Sequence, residues 1–204
     1  MRLASFLFPL ICLGALAACS TTPTYQLNAF YAPVPGEEFP VSAVDTSVLN
    51  VRNLRQVVPY ATPHPPGTVI VDTKARFLYL VQERGKAIRY GVGVGREGME
   101  FSGSAVIHHK RRWPSWTPTP DMIARDPGRY RPYAKGMPGG PMNPLGARAL
   151  YLFKDGKATL FRIHGTTEPW SIGQASSSGC IRMINQDVID LYERIAPGTK
   201  VVVL

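Results

Sequence analysis

The stretch 149–165, ALYLFKDGKATLFRIHG, limits the fold more than any other part of the chain. Two β-rich runs meet there at Asp155-Gly156. An Asp-Gly pair between such runs is a strong signal for a two-residue hairpin. The same character begins at Gly67. TVIVD and FLYLVQ are separated by Thr73-Lys74-Ala75-Arg76, the size of a hairpin loop, and KAIRYGVGV follows as a third strand. MEFSGSAVI is a further strand candidate, and TKVVVL closes the chain as a strand. The clearest helix is NQDVIDLYERI. Asn185 can cap it, Asp187 suits its first turn, and Val188, Leu191, Tyr192 and Ile195 share one face before Pro197-Gly198. These signals predict a mainly β domain with one C-terminal helix before the last strand. Between Trp113 and Gly146 the chain is dense in Pro, Gly and aromatics. A loop of this length is functional or disordered. Its Trp and Tyr residues favour an ordered lid or wall beside a site.

The first residues set the compartment. Met1-Arg2 is followed by the apolar run LASFLFPLICLGAL and then by small residues, the layout of a secretory signal peptide. The run is too short for the roughly 20 apolar residues of a membrane span. Leu16-Ala17-Ala18-Cys19 resembles a bacterial lipobox, which implies a lipoprotein signal over residues 1–18 and lipidation of Cys19. Ordinary cleavage after Ala17 is the alternative. Ser20, in place of Asp, favours the outer membrane, so the expected location is the periplasm with a lipid anchor there. Residues 19–66, with YAPVPGEEFP and PYATPHPPG, lack periodicity and are expected to be a tether and irregular arm. The domain itself is expected over residues 67–204.

Charge matters only through that location. The balance is +9, from 23 basic and 14 acidic residues. In a cytoplasmic protein the run His108-His109-Lys110-Arg111-Arg112 would raise nucleic acid as a partner. Export removes it, and a basic surface instead suits an anionic envelope polymer. Of three cysteines, Cys12 lies in the signal and Cys19 at its end. Cys180 is thus the one thiol of the folded body, in an oxidising compartment where pairing is usual.

Three constellations compete for function. Gly93 to Gly98, GVGREG, matches a dinucleotide-binding fingerprint by letter, but a strand candidate follows where a helix must open. It reads as turn glycine, and no cofactor is expected. His108 and His109 are adjacent on a strand, where neighbours face opposite ways, and no Cys or carboxylate cluster joins them, so no metal site is expected. His164 and Cys180 are different. His164 ends the LFRIH strand, and sixteen residues later Cys180 follows Ser-Ser-Ser-Gly. A thiol of ordinary pKa is only a few per cent thiolate at neutral pH, so a nucleophilic Cys wants a basic partner. The following helix could favour thiolate through its dipole. The amides of Gly179 and Cys180 are candidate oxyanion donors. This pattern points to Cys-His acyl transfer.

The segment resembles the signature of the L,D-transpeptidases (YkuD-type domain). It is carried by His164-Gly165-Thr166 and by Ser177-Ser178-Gly179-Cys180-Ile181-Arg182-Met183. The likeness extends through WTPTPDMIARDP, GMPGGPMNPLGARALYL and VIDLYERI. Many relatives carry a second His where this chain has Ser178. The resemblance implies a β-sandwich-like fold with a long loop over the cleft. It also implies a donor, the peptidoglycan tetrapeptide stem, whose third-residue carbonyl Cys180 attacks with release of D-alanine. His164 would be general base and acid, and the Gly165 carbonyl would orient it. Gly179 would supply an oxyanion amide. Arg182, Ser177 and Thr166 are candidate substrate-binding residues; Arg182 could equally be a salt bridge that shapes the motif loop. The acceptor stays open: a second stem, an outer-membrane protein amine giving wall attachment, or water, which would make an L,D-carboxypeptidase. A non-catalytic wall-binding lipoprotein is the rival of a different class.

Overall fold

The computed structural model describes residues 29–95, 102–177 and 179–204. The proposed signal peptide, Cys12, Cys19, Ser178 and the second half of GVGREG lie outside the described residues. The strands are β1 (Gln56–Pro59), β2 (Val69–Asp72), β3 (Phe77–Gln82), β4 (Lys86–Gly91), β5 (Val94–Gly95), β6 (Gly103–Arg112), β7 (Arg148–Lys154), β8 (Lys157–His164), β9 (Ala175–Ser177), β10 (Ile181–Arg182) and β11 (Lys200–Val203). Nine of them form one sheet in the order β1-β4-β3-β2-β11-β6-β7-β8-β10, and β5 pairs with β9.

Local chemistry accounts for the hairpins. Asp155 and Gly156 both take positive φ (51° and 74°), as a tight two-residue hairpin requires. Residues 73–76 close β2 onto β3 with Asp72 opposite Phe77. Strand alternation then sends Val69, Val71, Leu78, Leu80, Ile107, Leu150, Leu152 and Ile163 into one cluster. Side chains from both halves of the sheet thus meet in a single core, together with Val188, Leu191 and Ile195 of the C-terminal helix. That is the mainly β, sandwich-like fold expected of this sequence.

Helix content exceeds the expectation. Within the long stretch 113–146, α1 (Pro120–Arg125) starts at Thr119, whose hydroxyl accepts from the Met122 amide, and α2 (Pro127–Tyr130) starts at Asp126, which caps the Arg129 amide. Proline stands at the first turn of each, where its missing N–H costs nothing. A bridge between Trp116 and Met137 ties the stretch together. Asn143, buried, donates to the carbonyls of Pro114 and Pro138. The segment is therefore ordered by its own polar and aromatic contacts.

The C-terminal helix, α3 (Asn185–Arg194), differs from its expected start: Ile184 is the cap residue and Asn185 is already helical. Asp187 is in the first turn, as expected, but fully buried. Tyr31 donates its hydroxyl to both Asp187 oxygens at 3.2 and 3.1 Å, and Arg55 lies 3.7 Å away. Burial pushes this carboxyl up to about 7.

From Tyr31 onward, the segment expected to be a tether and irregular arm packs against the domain as an arm. Tyr31, Leu49 and Leu54 are buried against Ile172 and Ile184, β1 pairs with β4 at the sheet edge, and Gln186 donates to the carbonyls of Ala32 and Ser42. Glu37 is the main polar anchor. It accepts two bonds from the fully buried Arg148 (2.9 and 2.6 Å), one from Arg112 (3.1 Å) and one from the Trp113 indole (3.0 Å). Irregular sequence can make an irregular but fixed structure when isolated side chains find buried partners.

Candidate active site

The sheet brings the two motif residues together. β10 runs parallel to β8, with Ile181 opposite Ile163 and Arg182 opposite His164. Cys180, just before β10, is therefore level with Arg162, two positions along from His164. Sixteen residues of sequence thus fold back so that Cys180 lies one strand over from β8, about 4.8 Å across, and two positions along from His164. Gly179 makes the approach possible: its φ of +114° is a conformation that side-chain-bearing residues rarely adopt.

His164 is buried, and its Nδ1 lies 2.6 Å from the Gly165 carbonyl oxygen. A carbonyl can only accept, so Nδ1 carries the proton and Nε2 is left as the basic nitrogen. Burial holds the imidazole down at about 4, opposed by the Gly165 carbonyl. The ring is neutral at pH 7. Gly165 must be glycine because a Cβ there would run into the Asn185 side-chain oxygen. Asn185 accepts from the Ala147 amide (3.0 Å) and donates to the Thr166 carbonyl (3.0 Å). It fastens the turn after His164 to the start of β7 instead of capping its own helix.

Cys180 is half-buried and unpaired. Its Sγ is 3.8 Å from the Leu160 carbonyl. Burial pushes the thiol up, while Arg162 and Arg182 pull it down. The helix dipole gives no direct help, since α3 begins five residues later. The resting pair is thus a neutral thiol and a neutral imidazole. It is not the preformed thiolate that a dipole-activated cysteine would show.

The remaining candidates take other parts. Ser177 is buried; its hydroxyl donates to the Cys180 carbonyl (2.6 Å) and accepts from the Gly179 amide (3.1 Å). These bonds shape the cysteine turn. The Gly179 amide, expected to be an oxyanion donor, is engaged by that bond in this geometry. Thr166 is buried and its hydroxyl accepts from the Glu168 amide, a turn contact at the edge of the groove described below. Arg182 donates to Glu168 (3.2 Å) and to the Ser171 hydroxyl (3.4 Å), and its backbone pairs with Gly93 in both directions. Of the two roles open to it, the observed one is a salt bridge that shapes the motif loop.

The adjacent histidines do not face opposite ways. A bulge between Ile107 and His109 brings both rings to one side, His108 stacked on Phe153 and His109 on Tyr151, with their Nδ1 atoms 3.1 Å apart. Among the described residues, no three His, Cys, Asp or Glu side chains gather to hold a metal. Sequence reasoning missed two residues near the site, Asn185 as a cross-strut and Arg162. The signal for Arg162 was a charge two positions before His164, on the same strand face.

A groove of about 320 Å³ lies between residues 40–44 of the arm, Trp113, the turn at Thr166-Thr167, and Trp170. The arm therefore forms one wall of a cleft that adjoins the His164 turn.

Comparison with known proteins agrees with this geometry. The family model for the L,D-transpeptidase catalytic domain, YkuD, matches residues 66–203. The Escherichia coli K12 protein named "Probable L,D-transpeptidase YbiS" is 32% identical over 157 residues, 76% of this chain and 49% of its own. The one named "Probable L,D-transpeptidase ErfK/SrfK" is 31% identical over 140 residues, 68% of this chain and 44% of its own. The chain thus spans about half the length of these curated relatives. A crystal structure from Brucella melitensis, named "Probable carnitine operon oxidoreductase caia", is 52% identical with a TM-score of 0.53, covering 78% of this chain and 99% of its own. With a family model spanning more than half of its residues, and with the motif's His ending β8 and its Cys just before the adjoining β10, the chain belongs to the L,D-transpeptidase catalytic-domain family.

Proposed function

We propose that this chain is a peptidoglycan L,D-transpeptidase that works through Cys180 and His164. The observation that carries the reading is the 2.6 Å contact between His164 Nδ1 and the Gly165 carbonyl, which favours Nδ1–H and so leaves Nε2 as the base, with the thiol next to the neighbouring strand. In the first half-reaction Nε2 takes the thiol proton as Sγ bonds to the carbonyl carbon of the stem's third residue. The oxyanion is received by the Cys180 amide. Collapse breaks the C–N bond, and the proton passes to the departing D-alanine amine, leaving a thioester. An incoming amine then attacks the thioester, gives a proton to His164, and the thiol re-forms. Because both groups rest neutral, proton transfer accompanies attack, as general base catalysis requires. The Gly165 carbonyl occupies the place that an acid fills in other triads. The redox name of the Brucella relative finds less support than acyl transfer, to which both the motif and the family model point.

The preferred acceptor is a second stem, giving a cross-link between third residues. Attachment of an outer-membrane protein is the runner-up, and hydrolysis the third reading. The location that supports this is the periplasm, with Cys19 lipidated in the outer membrane. Incubating purified protein with tetrapeptide muropeptides and analysing the products by mass spectrometry tests the reaction; equal product from wild type and Cys180→Ala refutes the nucleophile. Sacculus composition after gene deletion tests the acceptor. Loss of third-residue dimers supports cross-linking. Loss of wall-bound proteins alone supports attachment, and accumulation of tetrapeptides at the expense of tripeptides supports hydrolysis.

A further inference from the structure

The face of the sheet that carries His164 also holds a cation with no assigned partner. Strand pairing sets His109, Tyr151 and Arg162 side by side across β6, β7 and β8. Parallel register sets Cys180 level with Arg162 across the next gap. His109 stacks on the Tyr151 ring at 4.2 Å, and the Arg162 guanidinium carbon is 5.2 Å from the same ring's centre. Arg55, Arg148, Arg182 and Arg194 each have a carboxylate partner. Among the described residues Arg162 has none, and its Nε is buried without a hydrogen bond. A half-buried guanidinium left without a counter-charge is unfavourable, and a planar carboxylate satisfies it best. Arg182, the first candidate for holding a substrate carboxylate, is already held by Glu168.

We propose that Arg162 binds a carboxylate of the donor peptide next to the bond that Cys180 attacks. This rests on the acyl-transfer reading above. A stem of this chemistry offers two such groups: the terminal carboxylate of the leaving D-alanine and the side-chain carboxylate of the third residue. Tyr151 supports the guanidinium on the strand next to Cys180, and the site recognises charge within a few bonds of the reacting carbonyl. The field there is cationic throughout, and His109 is held down by burial, with His108, Arg111 and Arg162 adding to that.

The test is binding by Cys180→Ala protein, measured by calorimetry with a synthetic tetrapeptide, its terminal carboxamide, its third-residue side-chain carboxamide and the doubly amidated peptide. Adding Arg162→Gln should weaken binding of the free peptide about 10- to 100-fold, the scale of charge-assisted hydrogen bonds. Arg162→Lys, which keeps the charge but loses the fork, should fall between. Amidation of the recognised carboxylate should abolish the effect of Arg162→Gln, and so name the group. Binding unchanged within twofold overturns the proposal. So does a loss that persists with both carboxylates amidated, and so does failure of Cys180→Ala protein to bind the free peptide. Turnover by otherwise wild-type protein separates the two claims. Turnover without an Arg162 effect overturns only this inference, and Arg162-dependent binding without turnover overturns only the reaction.

Discussion

Glu37 is the residue whose loss should cost the domain most among its polar contacts. Arg148 is fully buried, and its two short bonds to Glu37 are its only contacts with a carboxylate among the described residues. Glu37→Gln keeps the volume but leaves a buried guanidinium unneutralised, at a cost of about 3–5 kcal/mol. Titration gives the same scale. Arg148 first, with Arg112 and Trp113, holds the Glu37 carboxyl at about 2 against an ordinary 4.5. That difference corresponds to about 3 kcal/mol. The folded pKa is depressed, so the stabilisation is complete above the unfolded pKa and disappears as pH falls toward 2. By pH 3 about 2 kcal/mol of it should be gone. Thermal and urea unfolding of wild-type and Glu37→Gln protein at pH 7 should differ by roughly 6–20 °C in midpoint, at about 2–4 °C per kcal/mol for a domain of this size. The gap should narrow steadily from pH 5 to pH 3. A double variant, Glu37→Leu with Arg148→Met, should recover much of the loss, because it removes the stranded charge as well as its partner. A difference below about 1 kcal/mol at pH 7, or one that does not narrow in acid, refutes the reasoning.

Other outcomes follow from the site. Cys180→Ala should lose transfer while keeping its unfolding midpoint within a few degrees, and His164→Ala should lower the rate on the order of 10²-fold or more; mass spectrometry of muropeptide products measures both. Alkylation of Cys180 by iodoacetamide should still be accelerating above pH 9, since burial raises the thiol; a plateau below pH 7 would mean a thiolate paired with imidazolium. Gly165→Ala should destabilise the fold and slow transfer together, because the added methyl displaces Asn185; wild-type unfolding and kinetics for that variant would exclude the strut. A carbapenem should add once to wild-type protein, and an adduct persisting on Cys180→Ala in intact-mass spectra would identify another nucleophile.

What could be read from the sequence was local. Asp155-Gly156 announces its hairpin because positive φ is a property of those two residues alone. The spacing of Val188, Leu191 and Ile195 announces a helix face because every turn repeats it. The motif residues His164 and Cys180 were visible for their chemistry. What stayed hidden depends on partners far away in sequence. Glu37 sits in a Pro-rich, aperiodic stretch, and only Arg148, 111 residues later, makes it structural. Asn185 looks like a cap because Asn near a helix start usually is one; its bonds to Ala147 and Thr166 arise only when three loops meet. The bulge at His108 breaks the strand alternation that assigned the two histidines to opposite faces. No residue type there betrays it.

β11 lies in the middle of the sheet, parallel to β2 on one side and antiparallel to β6 on the other. Val201 pairs with Val69, a partner 132 positions earlier. Within the nine-stranded order, β11 is the strand that links β2 to β6, while Gly93 and Arg182 bond across between the two ends of the sheet. Both inner edges, β2 and β6, take their partner from β11. Such long-range closure places folding in the slow, millisecond-to-second regime of non-local β topologies.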